Sequence, residues 1–257
     1  MGDLMIDSHV HADTRPYEDF ELMATVFDCV ITHAHDPLKM RSFDVALDYF
    51  DKILGNEIAK ARKNGLNMKA CIGIHPRAIP PKIDYDVLKE YLKKENVVGV
   101  GEIGLEKCSK EEIEVFENQI TIAREMDLPA VVHTPRTNKE AVTKNIVEVL
   151  ESMDLPIDFK KKIVIEHVTK ETVPIIWEND YKLGITVQPQ KLTPNDAVEI
   201  LGEYCEKRFL LNSDSSSAPS DILGVPKTVL KLKMAGFDEK VIRAVSHNNA
   251  ADLFKIN

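Results

Sequence analysis

Residues 97–133 read VVGVGEIGLEKCSKEEIEVFENQITIAREMDLPAVVH. The run at 97–100 is short and aliphatic, as in a parallel strand covered on both faces. Ile113, Phe116, Ile120 and Ala123 then recur at helical spacing, with Ser109 and Glu112 placed as a capping box ahead of them. The run at 129–132 repeats the first pattern. Strand, helix, strand in this order predicts a βαβ unit.

The same alternation continues outward in both directions. Further apolar runs fall at 4–6, 26–31, 69–74, 163–165, 181–187 and 208–211, making eight. Amphipathic stretches lie between them, for example Phe43, Leu47, Phe50, Leu54 and Ile58, and again Val142, Ile146, Val149 and Leu150. Eight strands in 257 residues predict a single domain, 1–257, folded as a TIM (β/α)8 barrel. Neither G-x-G-x-x-G after the first strand nor G-x-x-x-x-G-K-[ST] is present, which removes the two commonest nucleotide-binding readings of an α/β chain.

The composition is globular, 44% hydrophobic and 29% charged, which excludes disorder and coiled coil. With 33 Lys+Arg against 42 Asp+Glu, net −9, a cationic surface for nucleic acid is absent overall. Lys160-Lys-Lys162 precedes a strand, on the face away from the strand ends, and reads as a solvated run. Four widely spaced cysteines (Cys29, Cys71, Cys108, Cys205) form no C-x-x-C and read as reduced thiols of a cytoplasmic protein. No apolar run approaches ~18 residues, and the acidic N-terminal stretch does not suit a leader, so no membrane association is expected. No obligatory protein partner is evident.

Chemistry gathers at the strand ends, where barrels of this kind carry their active sites. Seven of the eight histidines lie there: His9, His11, His33, His35, His75, His133 and His167. Glu102 and Asp214 end two further runs. In His9-Val-His11 the imidazoles stand two apart on a strand and point the same way. A carboxylate ending a buried strand, as Glu102 does, is costly unless paired or metal-bound. If the barrel closes, Asp214 comes beside His9 and His11. Four His, one Glu and one Asp predict two divalent metal ions. Such nitrogen-rich sites suit Zn first, with Mn, Fe, Ni or Mg as alternatives. Two ions roughly 3.5–4 Å apart can activate a water and clamp an ester undergoing hydrolysis.

In order along the chain, Asp7-Ser-His-Val-His11, Gly73-Ile-His-Pro76, Gly101-Glu-Ile-Gly-Leu105, the segment Phe116, Gln119, Ala123 leading to His133, then His167, Ser213-Asp214 and Asn249-Ala-Ala-Asp-Leu-Phe254 resemble the TatD family of metal-dependent hydrolases, in the amidohydrolase superfamily. The resemblance implies that His9, His11 and Asp214 hold one ion, that His133 and His167 hold the other, and that Glu102 bridges. It implies that Asp214 accepts the proton of the attacking water and that His75 touches the scissile group. It implies a divalent-metal nuclease acting on phosphodiesters. The likeness does not extend to the loops facing substrate. Glu106-Lys107 replaces Asp followed by an aromatic, Arg136 is displaced by one residue, Val168-Thr-Lys170 follows His167, and Ser215 to Ser217 follow Asp214.

The leading expectation is a two-metal hydrolase of phosphodiester bonds, with a small phosphodiester or a nucleic-acid end as substrate. Arg15, Lys39, Arg41 and Arg136 are the expected phosphate partners, and His33 and His35 either cap their strand, contact substrate or hold an extra ion at the barrel mouth. The same centre could hydrolyse an amide, lactone or carboxylic ester, although many such enzymes bridge their metals with a carboxylated Lys. A non-catalytic metal-binding barrel is the alternative of another class.

Overall fold

Each of the eight apolar runs forms a strand in the structure, a computed structural model in which residues 5–256 are described. The strands are β1 (Met5–Val10), β2 (Phe27–His33), β3 (Met68–Cys71), β4 (Val97–Gly104), β5 (Ala130–His133), β6 (Ile163–Ile165), β7 (Lys182–Thr186) and β8 (Phe209–Asn212). The expected start of the first run at Leu4, and the stretch 1–4 read against a leader, lie outside the described residues. All neighbouring pairs are parallel, in the order β1 to β8.

Closure between β8 and β1 occurs at their ends. Asp214 N donates to His9 O at 2.9 Å and His11 N to Ser215 O at 2.8 Å, while Ser8 Oγ donates to Leu211 O at 3.1 Å. Asp7 Oδ1 accepts from the amides of Ser213 (3.0 Å) and His9 (3.3 Å). Asp7, which opens the stretch Asp7-Ser-His-Val-His11, therefore ties the seam shut. The result is a TIM barrel, as expected.

Two rows of side chains place the site above a dry core. Ile6, Ile31, Val131, Val164 and Leu210, from strands around the whole sheet, cluster with one another and with Phe254 of the C-terminal helix Asn249–Phe254. Such mutual contact is possible only in the barrel interior. Two residues further along, on the same faces, stand His33 and His133. β1, β2 and β4 continue past their apolar runs into these polar residues, so His9 and Glu102 sit inside strands rather than after them. Hydrophobicity stops marking a strand where the interior becomes the site.

Other motif residues hold main chain. Gln119, on the helix Lys110–Glu125, accepts from Ile74 N (2.7 Å) and donates to Ile74 O (3.1 Å), fixing the backbone next to His75. Asn249 Nδ2 donates to the carbonyls of Glu206 (2.8 Å) and Phe209 (2.7 Å), anchoring the start of β8. The expected capping box is half formed. Ser109 Oγ accepts from Glu112 N at 3.2 Å, but Glu112 Oε2 takes the amides of Glu106, Lys107 and Cys108 (3.0, 2.8 and 2.8 Å). Three loop donors outcompete the single cap amide and organise the loop that carries Glu106. All four cysteines are free thiols, and no described helix is long and apolar enough to cross a membrane.

Candidate metal centre

Glu102 lies at the middle of the site, 2% exposed. Gly101 and Gly104 flank it because larger residues do not fit: a Cβ on Gly101 would lie 2.9 Å from Val131 Cβ, and one on Gly104 2.6 Å from His133 O. The two Glu102 oxygens face different histidines. Oε1 is 3.0 Å from His133 Nδ1 and 3.0 Å from His167 Nε2. Oε2 is 3.6 Å from His9 Nε2, 3.6 Å from His11 Nε2 and 3.8 Å from His75 Nε2. Asp214 Oδ1 adds a contact on the second side, 3.1 Å from His11 Nε2 and 3.9 Å from His9 Nε2. His167 and Asp214 follow their strands in left-handed backbone, φ 59° and 43°, a conformation that His and Asp tolerate better than most residues.

The shorter of these spacings are those of two ligands on one cation. Two ligand atoms each about 2.1 Å from an ion, at tetrahedral to octahedral angles, stand about 3.0–3.4 Å apart. Both ring nitrogens of His9 are buried without a hydrogen-bond partner, surrounded by carboxylates at 3.5–3.9 Å. Polar atoms so placed require something between them.

The electrostatics agree. Burial alone would lower the His9 pKa, but Glu102 and Glu166 outweigh it and push it up to about 10. The cluster therefore draws positive charge to His9, which a divalent ion at Nε2 would supply in the proton's place. Burial raises Glu102 and Asp214, yet His9 and His133 hold Glu102, and Lys191 and His11 hold Asp214, well below the usual carboxylate range. Burial keeps His11 and His167 below the ordinary imidazole value, reinforced by His35 and Lys191 respectively. Neutral imidazoles and ionised carboxylates are the forms that bind metal.

In His11, His133 and His167 the other ring nitrogen is held by a hydrogen bond, as ligand histidines require. His11 Nδ1 donates to His33 O (3.0 Å), and His167 Nδ1 meets Thr186 Oγ1 (2.8 Å). His133 Nε2 meets Glu106 Oε2 (3.0 Å), and Arg77 in turn reaches Glu106 (3.3 Å) and grips Asp36 (2.7 and 2.9 Å). Two of these supports escaped the sequence reading. Glu166, 1% exposed, faces His9 Nδ1 at 3.5 Å and accepts from Asn212 Nδ2 at 2.8 Å. Its room comes from Gly184, where a Cβ would lie 1.8 Å from Glu166 Oε2. Lys191 pairs with Asp214 Oδ2.

His75 stands apart from the ligands. It lies near enough to Glu102 and His133 to share an ion with them, but its Nδ1 accepts from Arg77 N at 3.1 Å. The ring proton is therefore on Nε2, buried and without a partner. This is a donor aimed into the site, suited to a substrate oxygen rather than to a metal.

The remaining expected contacts divide. His35 and Arg136 line the cavity over the centre, about 380 Å³. Burial would lower His35, but Asp13 and Asp36 push it up to about 9, so it adds positive charge at the mouth. His33 is fully buried beneath His9, rings stacked at 4.0 Å, with Nε2 donating to Ser8 O at 3.0 Å. It supports the floor and has no path to substrate. Arg15 is engaged by Asp19 (2.7 Å) and the Ser216 carbonyl (2.7 Å). Neither Lys39 nor Arg41 lines the cavity.

With an eight-stranded parallel barrel and, at its strand ends, a His-carboxylate cluster able to hold metal, the chain falls in the class of metal-dependent hydrolases. The family model described as TatD related DNase matches residues 6–255, and the chain belongs to that family. It is 36% identical over 256 residues to an uncharacterized metal-dependent hydrolase of Methanocaldococcus jannaschii, covering 98% of this chain and 100% of the relative. Over 206 residues it is 27% identical to a second uncharacterized metal-dependent hydrolase, YabD of Bacillus subtilis, covering 73% and 78% of the two chains. The crystal structure of a TatD-like protein from Archaeoglobus fulgidus superposes with a TM-score of 0.82 at 32% identity, covering 98% of this chain and 100% of the other.

Proposed function

We propose that this hydrolase cleaves phosphodiester bonds with two divalent cations, Zn being the ion the donor set suits best. His9, His11 and Asp214 would hold one, His133 and His167 the other, with Glu102 serving both. The observation that carries this reading is the division of the histidines between the two Glu102 oxygens. When bound, the ions supply Lewis-acid activation of water and of the phosphoryl group.

The chain's own groups do the rest. Asp214 takes the proton of the attacking water through Oδ1, its other oxygen being held by Lys191. His75 donates its Nε2 proton in a hydrogen bond to a non-bridging phosphoryl oxygen. Arg136 and the charged His35 at the mouth orient the anionic ester. A small diester or the end of a nucleic-acid strand is the substrate proposed, since the chain carries net −9 and lacks a broad cationic face.

The test is a screen of metal-reconstituted protein against bis(p-nitrophenyl) phosphate, single-stranded oligonucleotides, lactones and dipeptides. Turnover is expected with the first two. Turnover confined to lactones or dipeptides would replace the phosphodiester reading with amidohydrolase chemistry on a carbonyl.

A further inference from the structure

A larger cavity, about 760 Å³, opens beside the metal centre over the ends of β5, β6 and β7. The two spaces share Arg136, His167 and Lys191, so a ligand can extend from one into the other. Its volume is that of a small-molecule site. Lys139 and Lys144 join Arg136 and Lys191 in its wall, together with Glu140 and Glu171.

Most of this charge lacks a carboxylate. Lys139 Nζ donates only to neutral oxygens, Thr134 Oγ1 (2.6 Å), His167 O (3.0 Å) and Thr134 O (3.4 Å). Arg136 donates to the Gln190 side chain (3.2 Å). Lys144 is exposed and has no ion-pair partner among the described residues. Lys191 alone is paired, with Asp214. Four basic side chains against two acidic ones leave this wall richer in positive charge than the chain as a whole, whose net charge is −9. Ala141, Val168 and Leu192 supply an apolar wall between them.

We infer that this cavity seats a second phosphate of the substrate, one sugar away from the scissile diester, with the apolar wall against the intervening nucleoside. A phosphate offers several oxygens at once to the Arg136 guanidinium and the Lys144 ammonium, which a lone diester at the metals cannot do. The inference rests on the phosphodiesterase reading and narrows its substrate to nucleotide ends that carry a terminal phosphate.

The test compares thymidine dinucleotides bearing a 5′-phosphate, a 3′-phosphate or neither, on the metal-loaded enzyme. One phosphorylated form is expected to show kcat/KM about 10-fold above the unphosphorylated form, mainly through KM, and Lys144→Ala to remove most of that advantage. Binding to metal-loaded Asp214→Asn, followed by calorimetry, reads the same preference without turnover. Equal affinity for all three dinucleotides, or a preference that survives Lys144→Ala unchanged, would overturn the inference. A Lys144-dependent binding preference without hydrolysis by the wild-type enzyme would keep the phosphate seat and remove the phosphodiesterase reading instead.

Discussion

Asp214→Asn is expected to retain its metal and lose its hydrolysis. Asp214 Oδ1 lies 3.1 Å from His11 Nε2, and Gln188 Nε2 donates to the Asp214 main-chain carbonyl at 2.5 Å. Asn has the same shape, keeps one oxygen for the ion and keeps these main-chain ties. It cannot accept a proton. Lys191 would lose its ionic partner, but it is half-buried at the cavity wall and can turn to solvent. Removing a general base costs typically 10²- to 10⁴-fold, so kcat should fall by about that factor while elemental analysis shows little change in metal content. Activity within a few fold of wild type would exclude Asp214 as proton acceptor.

Glu102→Ala is expected to act on metal content first. Its two oxygens divide between the two sets of histidines, Oε1 to His133 and His167 and Oε2 to His9 and His11. Without it, the centre loses the negative charge that balances the cations and the bridge that holds them together. At least one equivalent of metal per chain should be lost, and hydrolysis with it. Glu102→Gln, which keeps the volume, separates loss of charge from loss of packing and should also weaken binding. Unchanged metal stoichiometry in both variants would refute the bridging role.

Much of this architecture could be read in the residues, because parallel strands buried on both faces leave apolar runs and barrel chemistry clusters where they end. The cluster of candidate ligands was legible for the same reason: the histidines and the Glu close apolar runs whose ends converge. What escaped were groups whose meaning lies in another strand. Glu166 interrupts an apolar run just before His167, but only the close approach of β7 at Gly184, and Asn212 on β8, show that it supports His9. Lys139 and Lys191 lie outside the strands, and no periodicity marks their convergence on one cavity. His33 was misleading in the opposite direction. Its spacing from His35 suggested a pair at the mouth, yet side chains two apart share a face only while the strand continues, and β2 ends at His33. The strand turns away there, leaving His33 below and His35 above.

The most direct measurement is anomalous scattering from crystals of the metal-loaded protein, collected at the absorption edge of the bound ion. Two peaks roughly 3.5–4 Å apart are expected, one beside His9, His11 and Asp214, the other beside His133 and His167, with Glu102 between them. A single peak, or peaks that leave Glu102 without contact to either ion, would contradict the two-metal centre.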